Sequence, residues 1–340
     1  MTAARLELTR EQILGFRRSV SHLDQRLPRG ARSLRQAAWA GLSDSMPRAA
    51  LLSIYARVAG TKSDTLEDAS LAQVWGPRFS AYVVAEQDAA VFTLGRMPSD
   101  DGRRRRAEAA AENLDAFLAG RTMTYGEAGH ALGVDPNSLR YGTTTGRIRI
   151  RWEGARQPTV WMVPAPDMDV DEARLELARR YVHVLGPGTP EHFADWAGRR
   201  APGARATFEA LLPELTPVHT PVGEGWILTS DEAAIRAPIQ PTGGPRLLPS
   251  GDTFFLLWGA DRELLVPEAR RRAELWTSRV WPGCLLVDGE PAGIWRRADA
   301  LVVLEPWRRF TRAECEAVEA EVASFPLAGL EGRMHARWVG

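Results

Sequence analysis

The sequence predicts an α+β chain built from tandem winged-helix units, each a helix-turn-helix followed by a β-hairpin, with a small C-terminal α+β or barrel-like domain. Three observations carry this. The order helix, helix, helix, hairpin recurs three times before residue 236. One of those hairpins alternates arginine strictly with apolar residues. From about residue 236 a Pro/Gly-rich run, Pro238 to Pro245, gives way to short strands. A length of 340 residues at 44% hydrophobic and 25% charged suits a globular chain of two or three domains or one repetitive assembly.

The first unit is placed at residues 1–100. Thr9 is the expected N-cap of a helix over 9–25, with Ile13, Phe16, Val20 and Leu23 at helical spacing. Pro28 and Gly30 end it. A second helix is expected over about 32–41, and a third over 46–58 after the break Ser43-Asp44-Ser45. Phe79 to Thr93 reads as two strands around Glu86-Gln87-Asp88.

The second unit, 101–166, is the clearest. A helix over 103–119 opens with Arg103–Arg106, and Thr124 with Glu127 forms a capping box for the next. Gly133 supplies the tight turn, and Pro136-Asn-Ser-Leu-Arg140 opens a helix in the recognition position of a helix-turn-helix. Arg147-Ile-Arg-Ile-Arg-Trp152 is a strand with three arginines on one face and Ile148, Ile150 and Trp152 on the other. A return strand follows at 159–163. The third unit, 167–235, repeats the plan with helices over 170–185, from Thr189 and from Gly203, then a hairpin over 215–229. It is acidic, which suits a scaffold. The C-terminal domain, 246–330, should hold strands at 253–258, 284–287, 294–296 and 301–305 and helices at 267–277 and 311–325, with 327–340 a loose tail.

Several function classes are excluded or disfavoured. Of the 43 basic residues only Lys62 is lysine, and it follows no glycine-rich turn, so a Walker-type phosphate loop is absent. No cofactor or metal is expected, because the six histidines are scattered and no Cys-x-x-Cys occurs. Two cysteines, Cys284 and Cys315, make no disulfide framework and point to the cytoplasm, each better read as a small apolar residue than a reactive thiol. No apolar run is long enough to span a membrane, and the first ten residues lack a signal peptide's apolar core. The net charge of zero hides segregation: +6 over 1–60, −3 over 61–120, +3 over 121–160, −6 over 161–235 and zero beyond. The first and third segments are where a face for a polyanion would lie, with solvated helix surface as the alternative.

Gly41-Leu-Ser-Asp-Ser-Met-Pro-Arg-Ala-Ala-Leu-Leu-Ser-Ile-Tyr-Ala-Arg-Val-Ala-Gly60 resembles the amino-terminal signature of the winged-helix family that includes the AlkZ and YcaQ DNA glycosylases. Trp75-Gly-Pro-Arg-Phe-Ser80 is similar to their Trp-x-Met-Arg-Gly-Thr segment, and Leu247–Asp252 and Val287–Trp295 resemble their carboxy-terminal motifs. The resemblance implies a concave surface for duplex DNA and removal of bulky alkylated purines; a monomer is the expected state. It also assigns Arg78 and Ser80 to the nucleic acid. Arg48, Asn137, Arg140, Arg147, Arg149 and Arg151 are the further expected contacts, from the basic segments, the recognition-position helix and the arginine wing.

The family's Gln-x-Gln or Gln-x-Asp follows its Gly-Leu. Here the matching positions are Ser43 and Ser45, with Asp44 between them, and the family's histidine position holds Tyr82. An N-alkylated purine is already a cationic leaving group, so a carboxylate that stabilises an oxocarbenium-like sugar and orients water would suffice. Asp44 is the one acid between Asp24 and Asp64. Two readings stand: Asp44, flanked by Ser43 and Ser45, carries catalysis, or Asp44 or Ser45 only caps the following helix. With only Lys62 available, any glycosylase here would be monofunctional. A DNA-binding protein without catalysis is the alternative function.

Overall fold

A computed structural model describes residues 5–46, 48–153, 156–198, 201–327 and 334–339. The helix start expected at 46–58 therefore falls partly on Pro47, outside the described residues, as do the start of the chain, the tip of the arginine hairpin and much of the expected tail. The fold is mixed α+β, with four small sheets among the described residues.

The first unit contains β1 (Leu6–Glu7), α1 (Arg10–Val20), α2 (Ala31–Ala37), β2 (Leu42–Ser43), α3 (Ala49–Arg57), β3 (Leu71–Trp75), β4 (Ala81–Ala85) and α4 (Ala89–Leu94). Thr9 caps α1 in a reciprocal box with Gln12. The sheet order is β2-β4-β3, all antiparallel. Two expectations change here. The hairpin partner of β4 is β3, where the sequence reading placed no strand. The segment expected as the second strand is instead α4, entered through a 3-10 turn at Glu86–Asp88. A short apolar run has no period that separates strand from buried helix. What selects the helix is its burial: Val91 and Phe92 enter the main core with Leu177, Ala178 and Tyr181.

The second unit contains α5 (Asp101–Leu118), β5 (Met123–Thr124), α6 (Tyr125–Ala131), α7 (Leu139–Gly142), β6 (Ile148–Arg151) and β7 (Thr159–Met162). The Thr124–Glu127 capping box is present, and Gly133 turns the chain at φ +69°. The third contains α8 (Val170–Leu185), α9 (Pro190–Ala197), α10 (Ala201–Leu211), β8 (Leu215–Thr220), β9 (Gly223–Leu228) and α11 (Glu232–Ile235). Its sheet gains a parallel edge from the start of the chain, since Leu6 pairs with Val218.

The C-terminal part contains β10 (Arg246–Leu248), α12 (Asp261–Leu265), α13 (Ala269–Leu275), β11 (Gly283–Val287), β12 (Glu290–Ala298), β13 (Leu301–Pro306), α14 (Arg312–Ala323) and β14 (His335–Trp338). They form a five-stranded sheet in chain order. The expected strand over 253–258 is absent: Thr253–Phe255 form a 3-10 turn, where the Asp252 side chain accepts the Phe254 N–H and tightens the backbone, and residues 256–258 carry no regular structure. The expected loose tail contributes β14, parallel to β13. Cys284 is fully buried in the core and Cys315 half-buried. No helix among the described residues is long and apolar enough to cross a membrane.

The charge segregation has an internal explanation. Among the described residues, six of the ten arginines in residues 1–60 have acidic partners: Arg5 with Glu224, Arg10 with Glu290, Arg17 with Asp261, Arg18 with Asp24, Arg26 with Glu321 and Arg57 with Asp252. All but Arg18 reach residues beyond 220. Much of the excess expected to make a polyanion face instead ties the amino-terminal unit to the rest of the molecule.

Candidate active site

The motif Ser43-Asp44-Ser45 leaves β2 and leads into α3. Leu42 and Ser43 pair with Val83 and Tyr82 of β4, and the Asp44 N–H donates to the Ala81 carbonyl at 2.8 Å. Strand alternation then sends Asp44 to one face and the two serines to the other. The Ser43 and Ser45 hydroxyls lie 3.1 Å apart. Ser45 is exposed, whereas Ser43 and Asp44 are each only 2% exposed.

The Asp44 carboxyl faces α3. Its Oδ1 accepts the Ala50 N–H at 3.0 Å, and its Oδ2 accepts from Gln73 Nε2 at 3.3 Å. Burial pushes its pKa up to about 7, against the opposing pull of the Ala50 N–H and the Arg48 guanidinium. The N-cap position of α3 is Arg48, which makes no side-chain capping bond, so neither Asp44 nor Ser45 is the N-cap; Asp44 instead reaches in from outside the helix and accepts the N–H of its second residue, a first-turn donor. Gln73, which sequence reading missed, does more than touch Asp44. Its Oε1 accepts the Trp152 N–H at 2.6 Å, so one amide joins the carboxyl to the end of β6 in the second unit. No local pattern signals this contact, because the two residues are 79 positions apart.

The serine face meets the C-terminal part. Asp252 is fully buried and pairs with both guanidinium nitrogens of Arg57 at 2.7 and 2.8 Å, and it accepts the Ser53 hydroxyl at 2.6 Å. This holds the preceding turn against β2. Gly251, at φ +74°, stands where a Cβ would lie 3.4 Å from the Ser43 hydroxyl and 3.7 Å from that of Ser45. Tyr82, in the family's histidine position, is buried with its hydroxyl unpartnered among the described residues, and burial pushes its pKa up.

The β3–β4 turn is strained. Arg78 and Phe79 both adopt left-handed backbone, at φ +55° and +56°. Each costs about 1–2 kcal/mol for a residue with a side chain. The Arg78 guanidinium lies 4.4 Å over the Trp258 ring, and half-buried Ser80 closes the turn onto Pro77. Arg48 also has left-handed backbone and lines a cavity of about 170 Å³ together with Gln73, Arg151 and Trp152.

The expected contacts of the second unit divide. Asn137 is exposed at the start of the recognition-position helix. Arg140 is turned inward over Trp75 and Tyr125, at 5.6 and 5.5 Å. The wing arginines were expected to lie along phosphates, but each has an acidic protein partner. Arg147 pairs with Asp115, Arg149 with Glu86 at 3.0 Å, and Arg151 with Glu153 at 3.1 Å and Glu67 at 3.3 Å. Docking explains part of this: β6 packs beside β3, which brings Glu86 and Glu67 of the first unit against Arg149 and Arg151, while Asp115 of α5 and Glu153 are partners from within the second unit. The Arg149 side chain is left 12% exposed and that of Arg151 48%.

Comparison with known proteins gives consistent matches. The family described as DNA glycosylase AlkZ-like matches residues 37–326. An interstrand DNA cross-link repair glycosylase from Streptomyces sahachiroi is 27% identical over 266 residues, which is 69% of this chain and 70% of that protein. The solved structure of the Streptomyces sahachiroi DNA glycosylase AlkZ aligns with a TM-score of 0.77 at 20% identity, over 98% of this chain and 100% of that one.

Proposed function

The chain belongs to the AlkZ-like DNA glycosylase family, and from that premise we propose that it hydrolyses the N-glycosidic bond of alkylated purines in duplex DNA. It acts as a cytoplasmic monomer without a cofactor. The three helix–hairpin units are winged helices in this reading, at about residues 1–100, 101–166 and 167–235, and their concave side takes the duplex. Arg48, Arg78, Ser80, Asn137 and Arg151 supply contacts. Arg140, Arg147 and Arg149 are committed to protein partners and act by shaping the surface.

The observation that carries the reading is an acid at the motif position whose pKa stands near 7. A group poised there exchanges protons at physiological pH, as a general base requires. Water adds to the sugar carbon, the bond to the cationic purine breaks, and the purine leaves neutral. The water's proton passes to Asp44 and the carboxylate offsets the developing positive charge on the sugar. Its Oδ2, held by the longer of its two hydrogen bonds, is the oxygen that turns to the reaction. Ser43 and Ser45 lie on the opposite face, with their hydroxyls 3.1 Å apart, and support the reaction only through the backbone that holds Asp44.

A second reading, DNA binding without base removal, is favoured by a specific observation: Asp44 is 2% exposed and accepts a first-turn N–H of α3. Single-turnover release of 7-methylguanine from duplex DNA separates the two. Release by the parent and loss in Asp44→Asn, with DNA affinity retained, supports catalysis. No release by the parent supports binding alone.

A further inference from the structure

A cavity of about 510 Å³ opens where the strained β3–β4 turn, the start of α5 and α7 converge, on residues that the proposed chemistry does not use. We propose that it is a nucleotide-binding pocket, taking a planar base on its aromatic wall and the attached phosphate on its arginines.

The aromatic wall is Phe79 and Tyr141, edge to face at 5.2 Å between ring centres. Tyr141 is 57% exposed, so the ring face not packed on Phe79 is open to a ligand. It lies four residues beyond Asn137 on the helical segment spanning 136–145, so the two share a face. Phe79 is held from behind. The Arg96 guanidinium sits 4.3 Å from its ring and is itself anchored on the Trp75 and Ala197 carbonyls. The left-handed pair Arg78-Phe79 is what aims this ring into the cavity, and such strain concentrates at ligand sites.

The cationic wall is Arg103 and Arg106. They stand three residues apart on α5, hence on one face, and both are exposed. Neither has an acidic partner among the described residues, unlike the wing arginines. Asp100 also lines the cavity, but its carboxylate is occupied as the N-cap of α5, accepting the Arg103 backbone N–H at 2.9 Å. Two guanidinium groups and two rings match a phosphate joined to a base, and the volume lies within the range of small-ligand sites.

The same chemistry is offered by a free nucleotide and by a nucleotide turned out of a DNA strand, and the test separates them. Isothermal titration measures deoxyadenosine monophosphate. Fluorescence anisotropy compares a duplex carrying one unpaired adenine with the fully paired duplex. The variants are Tyr141→Ala, Tyr141→Phe and Arg103→Gln/Arg106→Gln, checked by thermal melting. All three positions are exposed, so folding should persist.

Binding of the monophosphate that weakens about fivefold or more in Tyr141→Ala, and recovers in Tyr141→Phe, supports the pocket with a free nucleotide as its ligand. The same loss confined to the duplex with the unpaired adenine supports it with DNA as the source. In either case the double arginine variant should weaken binding of that ligand more than binding of paired duplex. If Tyr141→Ala changes neither the monophosphate nor the unpaired-base duplex, the proposal is overturned. These readouts need no base release, so they stand apart from the proposed catalytic role of Asp44.

Discussion

Replacing Asp44 by asparagine should change how the stability of the protein depends on pH. Burial raises this carboxyl from an ordinary 3.8 to about 7. Between those values the folded chain holds a proton that the unfolded chain has released. The associated stability is therefore fully present at acid pH and is lost as pH rises through about 7. Integrated from pH 5 to pH 8, this one group removes about 3 kcal/mol from the parent. Asparagine keeps an acceptor for the Ala50 N–H but cannot ionise. Its amide also meets the Gln73 amide donor-to-donor, which adds a cost independent of pH. The difference between parent and variant should thus shift by about 3 kcal/mol in favour of Asp44→Asn between the two conditions. Urea denaturation at pH 5 and pH 8 measures it directly. A difference that does not move with pH would refute the argument, because it would mean the carboxyl is charged, or solvated, throughout.

The remaining predictions follow from the same structure. Duplex affinity, measured by anisotropy at two salt concentrations, should fall steeply with salt through counterion release, and absence of binding at low salt would contradict the DNA-binding face. Within the wing, Arg151→Ala should weaken DNA binding with little change in melting. Arg149→Ala should instead cost about 1 kcal/mol of stability, since its side chain is 12% exposed and paired with Glu86. Arg57→Met leaves Asp252 charged and fully buried, and should cost about 3–5 kcal/mol in denaturant titration.

Local chemistry was legible in the sequence and distant pairing was not. Thr9 and Thr124 were readable as helix starts because the cap and its partner lie within one turn. The alternation of β6 was readable because its inward residues, Ile148 and Ile150, recur at strand spacing and are fully buried. The face of β6 was readable but its environment was not: Glu86, which pairs with Arg149, and Glu67, one of the two partners of Arg151, come from the first unit. The same holds for the basic amino-terminal segment, whose partners lie mostly in the last third of the chain. The helical state of α4 depends on packing against α8, which no window around it contains. At the motif, the sequence supplied the carboxyl and the two serines. Their division between opposite faces, and the link from Asp44 through Gln73 to Trp152, required the fold.

The central claim is that Asp44 carries base removal, and single-turnover release of 7-methylguanine from duplex DNA across pH tests it most directly. The account predicts release by the parent at a rate that rises through about pH 7, as the carboxyl ionises. It also predicts no release by Asp44→Asn, with duplex affinity equal or tighter. Full activity in Asp44→Asn, or no release by the parent, would contradict it.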